Sequence, residues 1–454
     1  MKRRFFSLLL AFFLFFPAFA FAQLSLTTSG ATVTIDFDNT VSGVNNGTFA
    51  GSGFQPSPSA GQLNSNAWAM TGWSDGSLAF GGTQNSGDFA RGTTTAAVTQ
   101  GGVYALNDGG NRRFLIQPAA SDWTPGTLTL RIQNNMGSPL RQIDIAYDLF
   151  VRDDQDRANS FNFSYSTDDA SYTQVSSMDY TSPGTATNTF FLVGGSSPSR
   201  RIRISGLDIP NGGYFYVRWS GNDVSGTGAR DEFALDNIAV TGFTDNLIAA
   251  GSYPNLHIVG DPSGDRPSLA GNITPTNLVI FAAGALDGLD NQILGTGSMT
   301  ITGRLVTQRE GGLSGNSNAL FPSATFTLDS LSTIRYERPS GTQTVTGRND
   351  YGNVEIAGSS SKSLDGNTII RGSLFLVAST LDVGNNTLTF RSGNTPIVRN
   401  GVTQTGKFNL VQLPLCDSAM RSRNLEIPSR FPTIPSPRRL LFKLFPFNAL
   451  ILSR

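Results

Sequence analysis

The chain has 454 residues, and its 33 basic and 33 acidic side chains give a formal net charge of zero. This balance removes the usual electrostatic argument for a nucleic-acid or anionic-membrane partner. One cysteine excludes an intramolecular disulfide, and one histidine leaves almost no material for a histidine-containing catalytic triad or a multi-histidine zinc site.

Residues 1–22 have the pattern of an export signal. Basic residues at 2–4 precede an apolar run over 5–16, and small residues at 20–22 precede Gln23. The apolar run is shorter than the ~20 residues that span a bilayer. We therefore predict a cleaved signal peptide and a secreted or outer-cell-surface protein without a transmembrane span.

Residues 23–245 form the first predicted domain. Thr, Val, Ile and Phe alternate with polar residues in short runs, and turns rich in glycine and asparagine separate these runs. Such alternation is typical of antiparallel strands with one buried face. We therefore predict an all-β chain whose first domain is a jelly roll or a related two-sheet β-sandwich, with a β-barrel as the alternative.

Three long segments of this domain carry a family resemblance: LNSNAWAMTGWSDG, IQPAASDWTPGTLTLRIQNNMG and RWSGNDVSGTGARDEFALDNIAV. They resemble an extracellular module of Bacteroidota-type secreted proteins, which precedes other extracellular domains and often a type IX secretion signal. The resemblance implies no established activity. More loosely, the opening IDFDN and the closing FALDNI are similar to jelly rolls of carbohydrate-binding and MAM-like modules, which implies a structural calcium ion between the first and last strands.

Five carboxylates at the two ends of this domain are candidate calcium ligands. They are Asp36 and Asp38 on the first strand and Asp231, Glu232 and Asp236 at the last. Calcium binds about six to eight oxygens from carboxylates and carbonyls, and the first and last strands of a jelly roll can be neighbours. The alternative is that these acids are solvated residues at strand ends, paired in part with an arginine.

The last strand also contains a break in its side-chain alternation. Phe233 and Leu235 face one side of a regular strand, whereas Ile238 and Val240 face the other. A bulge at residues 236–237 restores a single core face and frees carbonyl groups for a metal ion. We therefore predict a bulge at this position.

The strand over residues 214–219 predicts an exposed aromatic face. Its side chains divide into Tyr214, Tyr216 and Arg218 on one face and Phe215, Val217 and Trp219 on the other. The second set is the better core, which leaves the first set displayed for a glycan, because sugar C–H groups stack on aromatic rings. Trp73 is a further candidate ligand-binding residue. The alternative is that the rings pack under loops or against the second domain.

No catalytic constellation is evident. Acids cluster at Asp153, Asp154 and Asp156 and again at Asp168 and Asp169, and both clusters follow strands in polar, turn-like settings. We interpret them as turn residues. The sequence contains neither a phosphate-binding Gly-Lys-Ser/Thr loop nor a Gly-x-Ser-x-Gly elbow between a strand and a helix, so we expect a protein that is not an enzyme.

Residues 246–413 contain an internal repeat, with copies near 253–294 and 351–389. The first copy opens with YPNLHIVG and the second with YGNVEIAG, and the copies align without a gap from Asn272 and Asn367 onward. These repeats resemble those of bacterial adhesin-like proteins. Units this short cannot bury a face alone, so we expect them to stack as a β-solenoid or to form sandwich-like sheets.

Residues 414–454 depart from this pattern, because no glycine follows Gly406 while prolines and basic residues accumulate. We predict an aberrant, out-of-frame segment, with a genuine disordered basic tail as the alternative. For the whole chain we predict a structural or adhesive surface protein that contacts a glycan or matrix component. The alternative is an accessory, non-catalytic region of a truncated extracellular hydrolase, either a nuclease or a glycosidase.

Overall fold

The computed structural model describes residues 23–261, 264–377, 379–390 and 397–400, the last of these for the backbone only. The predicted export signal and the predicted tail lie outside the described residues. The chain is 48% strand and has no helix of seven or more residues in its described part, which confirms the predicted all-β class. No helix in this part is long and apolar enough to cross a membrane.

The first unit contains eighteen strands and two short 3₁₀ turns. The strands are β1 (Leu24–Leu26), β2 (Thr32–Ile35), β3 (Phe54–Gln55), β4 (Leu63–Asn64), β5 (Trp68–Trp73), β6 (Gly76–Leu78), β7 (Thr93–Thr94), β8 (Gly102–Asp108), β9 (Asn111–Gln117), β10 (Gly126–Asn134), β11 (Leu140–Asp153), β12 (Ala158–Ser166), β13 (Thr173–Gln174), β14 (Tyr180–Thr181), β15 (Thr189–Leu192), β16 (Arg200–Ile209), β17 (Tyr214–Ser225) and β18 (Glu232–Phe243). The 3₁₀ turns are Gly87–Phe89 and Ser176–Met178.

Sixteen of these strands form two facing sheets that are mainly antiparallel, and β3 and β4 form a separate parallel pair. The front sheet has the order β13-β12-β17-β10-β5-β6, with β1 beside β10 and β14 beside β12. The back sheet has the order β16-β11-β18-β9-β8-β7, with β15 beside β11 and β2 beside β18. The pairing of β2 with β18 makes the first acidic segment of the chain a neighbour of the last strand of the sandwich.

The two sheets enclose one hydrophobic core that draws on strands from β1 to β18. On β17, Phe215, Val217 and Trp219 are fully buried. Across the sandwich, Phe233 of β18 stacks on Phe161 of β12, with ring centroids 5.1 Å apart. Burial of each such side chain contributes about 1.5–3 kcal/mol to stability, so the inner faces hold the sandwich together.

The described residues of the second unit form seventeen short strands. They are β19 (Leu247–Ile248), β20 (Gly251–Ile258), β21 (Ser268–Leu269), β22 (Ile273–Ile280), β23 (Ala285–Asp287), β24 (Ser298–Ile301), β25 (Arg304–Thr307), β26 (Thr327–Leu328), β27 (Thr333–Tyr336), β28 (Thr342–Val345), β29 (Asn353–Ile356), β30 (Ser361–Leu364), β31 (Thr368–Ile370), β32 (Leu374–Val377), β33 (Leu381–Asp382), β34 (Leu388–Phe390) and β35 (Ile397–Asn400).

These strands stack in parallel from one coil to the next. The longest wall of the stack has the order β19-β21-β23-β25-β27-β29-β32-β35. On a second wall, Leu256 lies beside Leu278 and Leu278 beside Met299, and all three are buried. Parallel stacking with inward-facing ladders of this kind is a β-solenoid, which decides between the two predicted arrangements of the repeats.

Matching residues of the two predicted copies make the same hydrogen bonds. In each copy, one asparagine side chain donates to a leucine carbonyl on a neighbouring coil, and another accepts from a backbone N–H group. The donors are Asn291 to Leu269 and Asn386 to Leu364, both at 2.7 Å. The acceptors are Asn272 at 2.9 Å and Asn367 at 2.8 Å. The two predicted copies therefore share the same local hydrogen-bond pattern.

The sandwich and the solenoid share one sheet. Strand β16 pairs in parallel with β20, with Ile204 beside His257. The back sheet continues through this pairing into β20, β22, β24 and β26 and so reaches twelve strands. Backbone hydrogen bonds between β16 and β20 therefore hold the two units together, in addition to the chain segment that connects them.

Candidate functional site

The last strand of the sandwich contains the predicted bulge. Across β11 and β18, Ala146 lies opposite Ala239 and Asp148 opposite Asp236, so β18 has one extra residue between these pairs. Asn237 within it has a positive φ of 48°. The bulge lies where β18 changes its partner from β9 to β2, and it restores the single core face of the strand.

Asp236 is fully buried beside this bulge, on the side of the sheet away from the core. Asn111 Nδ2 donates to its Oδ2 at 3.0 Å, and Arg113 Nε lies 3.4 Å from the same oxygen. The backbone N–H of Asn237 donates to its Oδ1 at 2.8 Å. Burial raises the pKa of Asp236 to about 6, although these hydrogen bonds oppose the shift.

The two acids that follow β2 accept hydrogen bonds from backbone N–H groups. Asp36 Oδ1 accepts hydrogen bonds from the backbone N–H of Asp38 and Asn39 at 3.1 and 3.0 Å. Burial opposes ionisation of Asp36, but the bonds from Asn39 and Asp38 leave its pKa lowered. Asp38 Oδ1 accepts from the N–H of Arg112 at 2.8 Å.

Asp231 and Glu232 lie at the start of β18 and point to opposite sides of the back sheet. Glu232 Oε1 accepts from the N–H of Val98 at 2.8 Å and lies 3.9 Å from Arg152 Nε. Burial raises the pKa of Glu232 to about 8 and that of Asp231 to about 6. Asp231 faces the core, where its Oδ2 has no hydrogen-bond partner among the described residues.

The structure therefore does not bring the five predicted calcium ligands together. Each of them has its own hydrogen-bond partners, and no group of three or more Asp, Glu, His or Cys side chains in the described chain is arranged to hold a metal ion. The predicted neighbourhood of the first and last strands is present, but the acids there bond to the β8–β9 hairpin: Asp236 accepts from the side chain of Asn111 and Asp38 from the backbone N–H of Arg112. Calcium binding stays a prediction.

The predicted display face of β17 is present on the outer surface of the front sheet. Tyr214, Tyr216 and Arg218 are half-buried there, while the residues between them lie in the core. Tyr214 and Tyr216 have ring centroids 6.3 Å apart. Arg218 donates to Thr129 Oγ1 at 2.9 Å and to Asp169 Oδ1 at 3.2 Å. The side-chain alternation of this strand was sufficient to assign both faces correctly.

Neighbouring strands and loops extend this face with residues that the sequence did not indicate. Arg131 of β10 lies over the rings of Phe80 and Tyr214, at 4.4 and 4.9 Å from their centroids. Arg218 lies 3.6 Å from the ring centroid of Tyr172. We name the set the arginine–aromatic strip, and its members are Phe80, Arg131, Tyr172, Tyr214, Tyr216 and Arg218.

The side-chain alternation of β10 could have identified Arg131 as a residue of the outer face. Leu128, Leu130 and Ile132 alternate on β10 as core residues, so Arg131 must face outward, and it pairs directly with Tyr216 across the sheet. Phe80 and Tyr172 lie outside the long strands, where no periodicity predicts the direction of a side chain.

The structure corrects the prediction for Trp73, which is 5% exposed and cannot present its ring to a ligand. Its ring centroid lies 5.8 Å from that of Trp123 and 6.1 Å from that of Phe89. The pairing of β5 with β6 shifts register between Met70 and Trp73, and Gly72 has a φ of +81° there. This irregularity returns Trp73 to the inner face.

A cleft of about 400 Å³ opens beside the strip. The β12–β13 hairpin, which also carries Tyr172, forms one side, with Asp168 and Ser171 at its turn. The end of β16, including Asp208, forms the other side together with Val259.

Comparison with known proteins gives no further assignment. No protein-family model matches the chain, and no curated protein is significantly similar to it. The resemblance to a type IX secreted module therefore stays a prediction, and any function must be argued from the geometry of the strip and its surroundings.

Proposed function

We propose that the protein is an exported, non-enzymatic surface or matrix protein that contacts a glycan through the arginine–aromatic strip. The observation that carries the proposal is the continuous set of half-buried rings and guanidinium groups on the outer face of the front sheet. Aromatic rings offer apolar faces to sugar C–H groups, and the arginines, Asp169 and Thr129 offer hydrogen-bonding groups to sugar hydroxyls.

The strip is rigid enough for such a role. Arg131 donates to the carbonyl of Asn66 from both Nε, at 3.0 Å, and Nη2, at 2.6 Å. Arg218 is fixed between Thr129, Asp169 and the ring of Tyr172. A site that is ordered before binding loses little conformational entropy when the ligand arrives. The solenoid then acts as the structural stem of the protein.

A glycan array probed with the full-length protein, followed by calorimetry on the ligands it identifies, tests the proposal. The double variant Tyr214→Ala/Tyr216→Ala should weaken binding at least about tenfold, which corresponds to about 1.4 kcal/mol. Phe190→Ala is the matched control, because Phe190 is also half-buried beside an arginine, at 5.0 Å from Arg152, but on the back sheet. Equal effects of the two changes, or no glycan bound at all, would contradict the proposal.

A further inference from the structure

Three buried oxygen atoms at one end of the sandwich have no hydrogen-bond partner among the described residues. They are Oδ1 of Asp153, Oδ1 of Asn159 and Oδ2 of Asp231. Their side chains are 1% exposed for Asp153 and fully buried for the other two. Buried polar atoms are nearly always paired in folded proteins, so these three oxygens require a further partner.

Asp153 and Asp231 lie side by side in the back sheet. Val151 of β11 pairs with Phe233 of β18, and both side chains are in the core. Asp153 and Asp231 lie two residues further toward the same end of this antiparallel ladder. Because side chains alternate along strands, both carboxylates point into the space between the sheets.

Asn159 reaches the same space from the front sheet. It precedes Phe161 on β12 by two residues, as Asp231 precedes Phe233 on β18, and the two phenylalanine rings stack at 5.1 Å. Ser182 lies between the two strands. Its Oγ accepts from the backbone N–H of Asn159 at 3.0 Å, and its side chain lies near Asp231.

The remaining contacts leave both carboxylates without a cationic partner. Thr187 Oγ1 donates to Oδ2 of Asp153 at 2.6 Å. The backbone N–H groups of Asp154 and Gln155 donate to Oδ1 of Asp231, both at 3.0 Å. No lysine or arginine of the described chain forms an ion pair with either carboxylate. Buried carboxylates are otherwise held by paired charges or by metal ions.

We propose that Asp153, Asn159 and Asp231 bind one calcium ion between the two sheets. The ligand set is all oxygen, and its two carboxylates balance the charge of a divalent cation. Calcium accepts about six to eight oxygens in flexible geometry, whereas magnesium retains several waters and requires near-octahedral geometry, so a buried site of this kind favours calcium. The ion links β11 and β18 to β12. Of the five ligands predicted from the sequence, only Asp231 belongs to this set.

Thermal melting of the full-length protein in calcium and in EDTA tests the site, and it does not depend on the proposed glycan function. Calcium should raise the melting temperature by at least about 3 °C. Asp153→Asn and Asp231→Asn should each abolish this rise. Asp236→Asn is the matched control, because Asp236 is an equally buried carboxylate of the same strand that has Asn111 and Arg113 as partners, and its response should equal that of the unmodified protein.

A variant that should bind calcium more tightly tests the proposal even if Asp153→Asn and Asp231→Asn do not fold. Asn159→Asp adds a third carboxylate, so calcium titration by calorimetry should show an affinity about tenfold higher than that of the unmodified protein. An unmodified protein that melts alike in calcium and EDTA overturns the proposal. So does an unchanged affinity in Asn159→Asp, or a calcium response that only Asp236→Asn removes.

Discussion

Tyr165 on the sandwich and His257 on the first long strand of the solenoid form a hydrogen bond of 3.0 Å between Oη and Nδ1. The imidazole is 5% exposed, and the ring of Phe281 packs against it with centroids 5.2 Å apart. The single histidine of the chain thus lies in the junction between the two units, beside the β16–β20 ladder. The bond fixes the position of the imidazole in an otherwise apolar setting.

This position predicts that acid weakens the junction. Burial lowers the pKa of His257 from 6.5 to about 4. Between these values the unfolded chain binds a proton that the folded chain does not, so stability falls as the pH falls from about 6.5 to 4 and is unaffected by this group above that window. The loss is on the order of 3 kcal/mol. Melting of the protein and of His257→Gln at pH 7 and pH 4.5 measures it, and an equal pH dependence in both would contradict the prediction.

The bulge in β18 predicts a specific order of substitutions at Asn237. Its φ of 48° is accessible to asparagine and glycine but strained for a β-branched residue. Its Nδ2 also donates to Asp148 Oδ2 at 3.0 Å. We expect Asn237→Val to lower the free energy of unfolding by about 2 kcal/mol or more and Asn237→Gly by about 1 kcal/mol. Urea unfolding measures both, and a valine variant as stable as the glycine variant would exclude the strain.

The shared asparagine bonds of the solenoid predict a second stability effect. In Asn386→Asp, a carboxylate replaces the Nδ2 donor opposite the carbonyl of Leu364, so we expect a loss of about 1–3 kcal/mol. Asn291→Asp should behave alike because its bond to Leu269 is equivalent. Asn349→Asp, at an exposed position, serves as the control and should change stability by less than about 0.5 kcal/mol. Chemical denaturation with a solenoid-specific probe distinguishes the three variants.

Trp73 is in the core and Tyr216 on the outer face, so truncation to alanine should lower the free energy of unfolding by different amounts. Trp73→Ala removes a buried ring from the core and should lower the free energy of unfolding by about 3–5 kcal/mol. Tyr216→Ala removes a half-buried ring from the outer face and should cost about 1 kcal/mol. A tyrosine variant that is as unstable as the tryptophan variant would show that the strip is structural and would remove the basis for glycan contact.

The alternation of buried and exposed side chains along a single strand could be predicted from the sequence, whereas contacts between distant segments could not. The two faces of β17 follow from a period of two, and the break in that period revealed the bulge at Asn237. Trp73 was wrongly predicted to be exposed, because Gly72 interrupts the side-chain alternation of β5 and the composition of the segment does not reveal this interruption. Asp153 was interpreted as a turn residue, yet it is 1% exposed. It lies at the end of β11, where β15 pairs with that strand.

The sequence left open whether the repeats form a solenoid or sandwich-like sheets, again because the answer depends on contacts between distant segments. The repeat itself is visible along the chain, but whether its strands pair in parallel is a property of residues about twenty positions apart. Asp36 and Asp38 were assigned to a strand but follow β2, although the predicted pairing of this segment with the last strand is present between β2 and β18. The partners of Asp236 and Asp38 are Asn111 and Arg112, on a hairpin whose position beside the two strands is a consequence of the whole topology.

The continuous sheet across the junction determines how several copies could act together. Because hydrogen bonds between β16 and β20 hold the two units together, the strip keeps one direction relative to the solenoid axis. A flexible tether would let a second site search a volume set by its length, whereas a rigid stem confines that site to one place. If the strip binds a polymeric glycan as proposed, the lateral spacing of neighbouring copies would control avidity, and copies spaced to match the repeat of the polymer would gain the most.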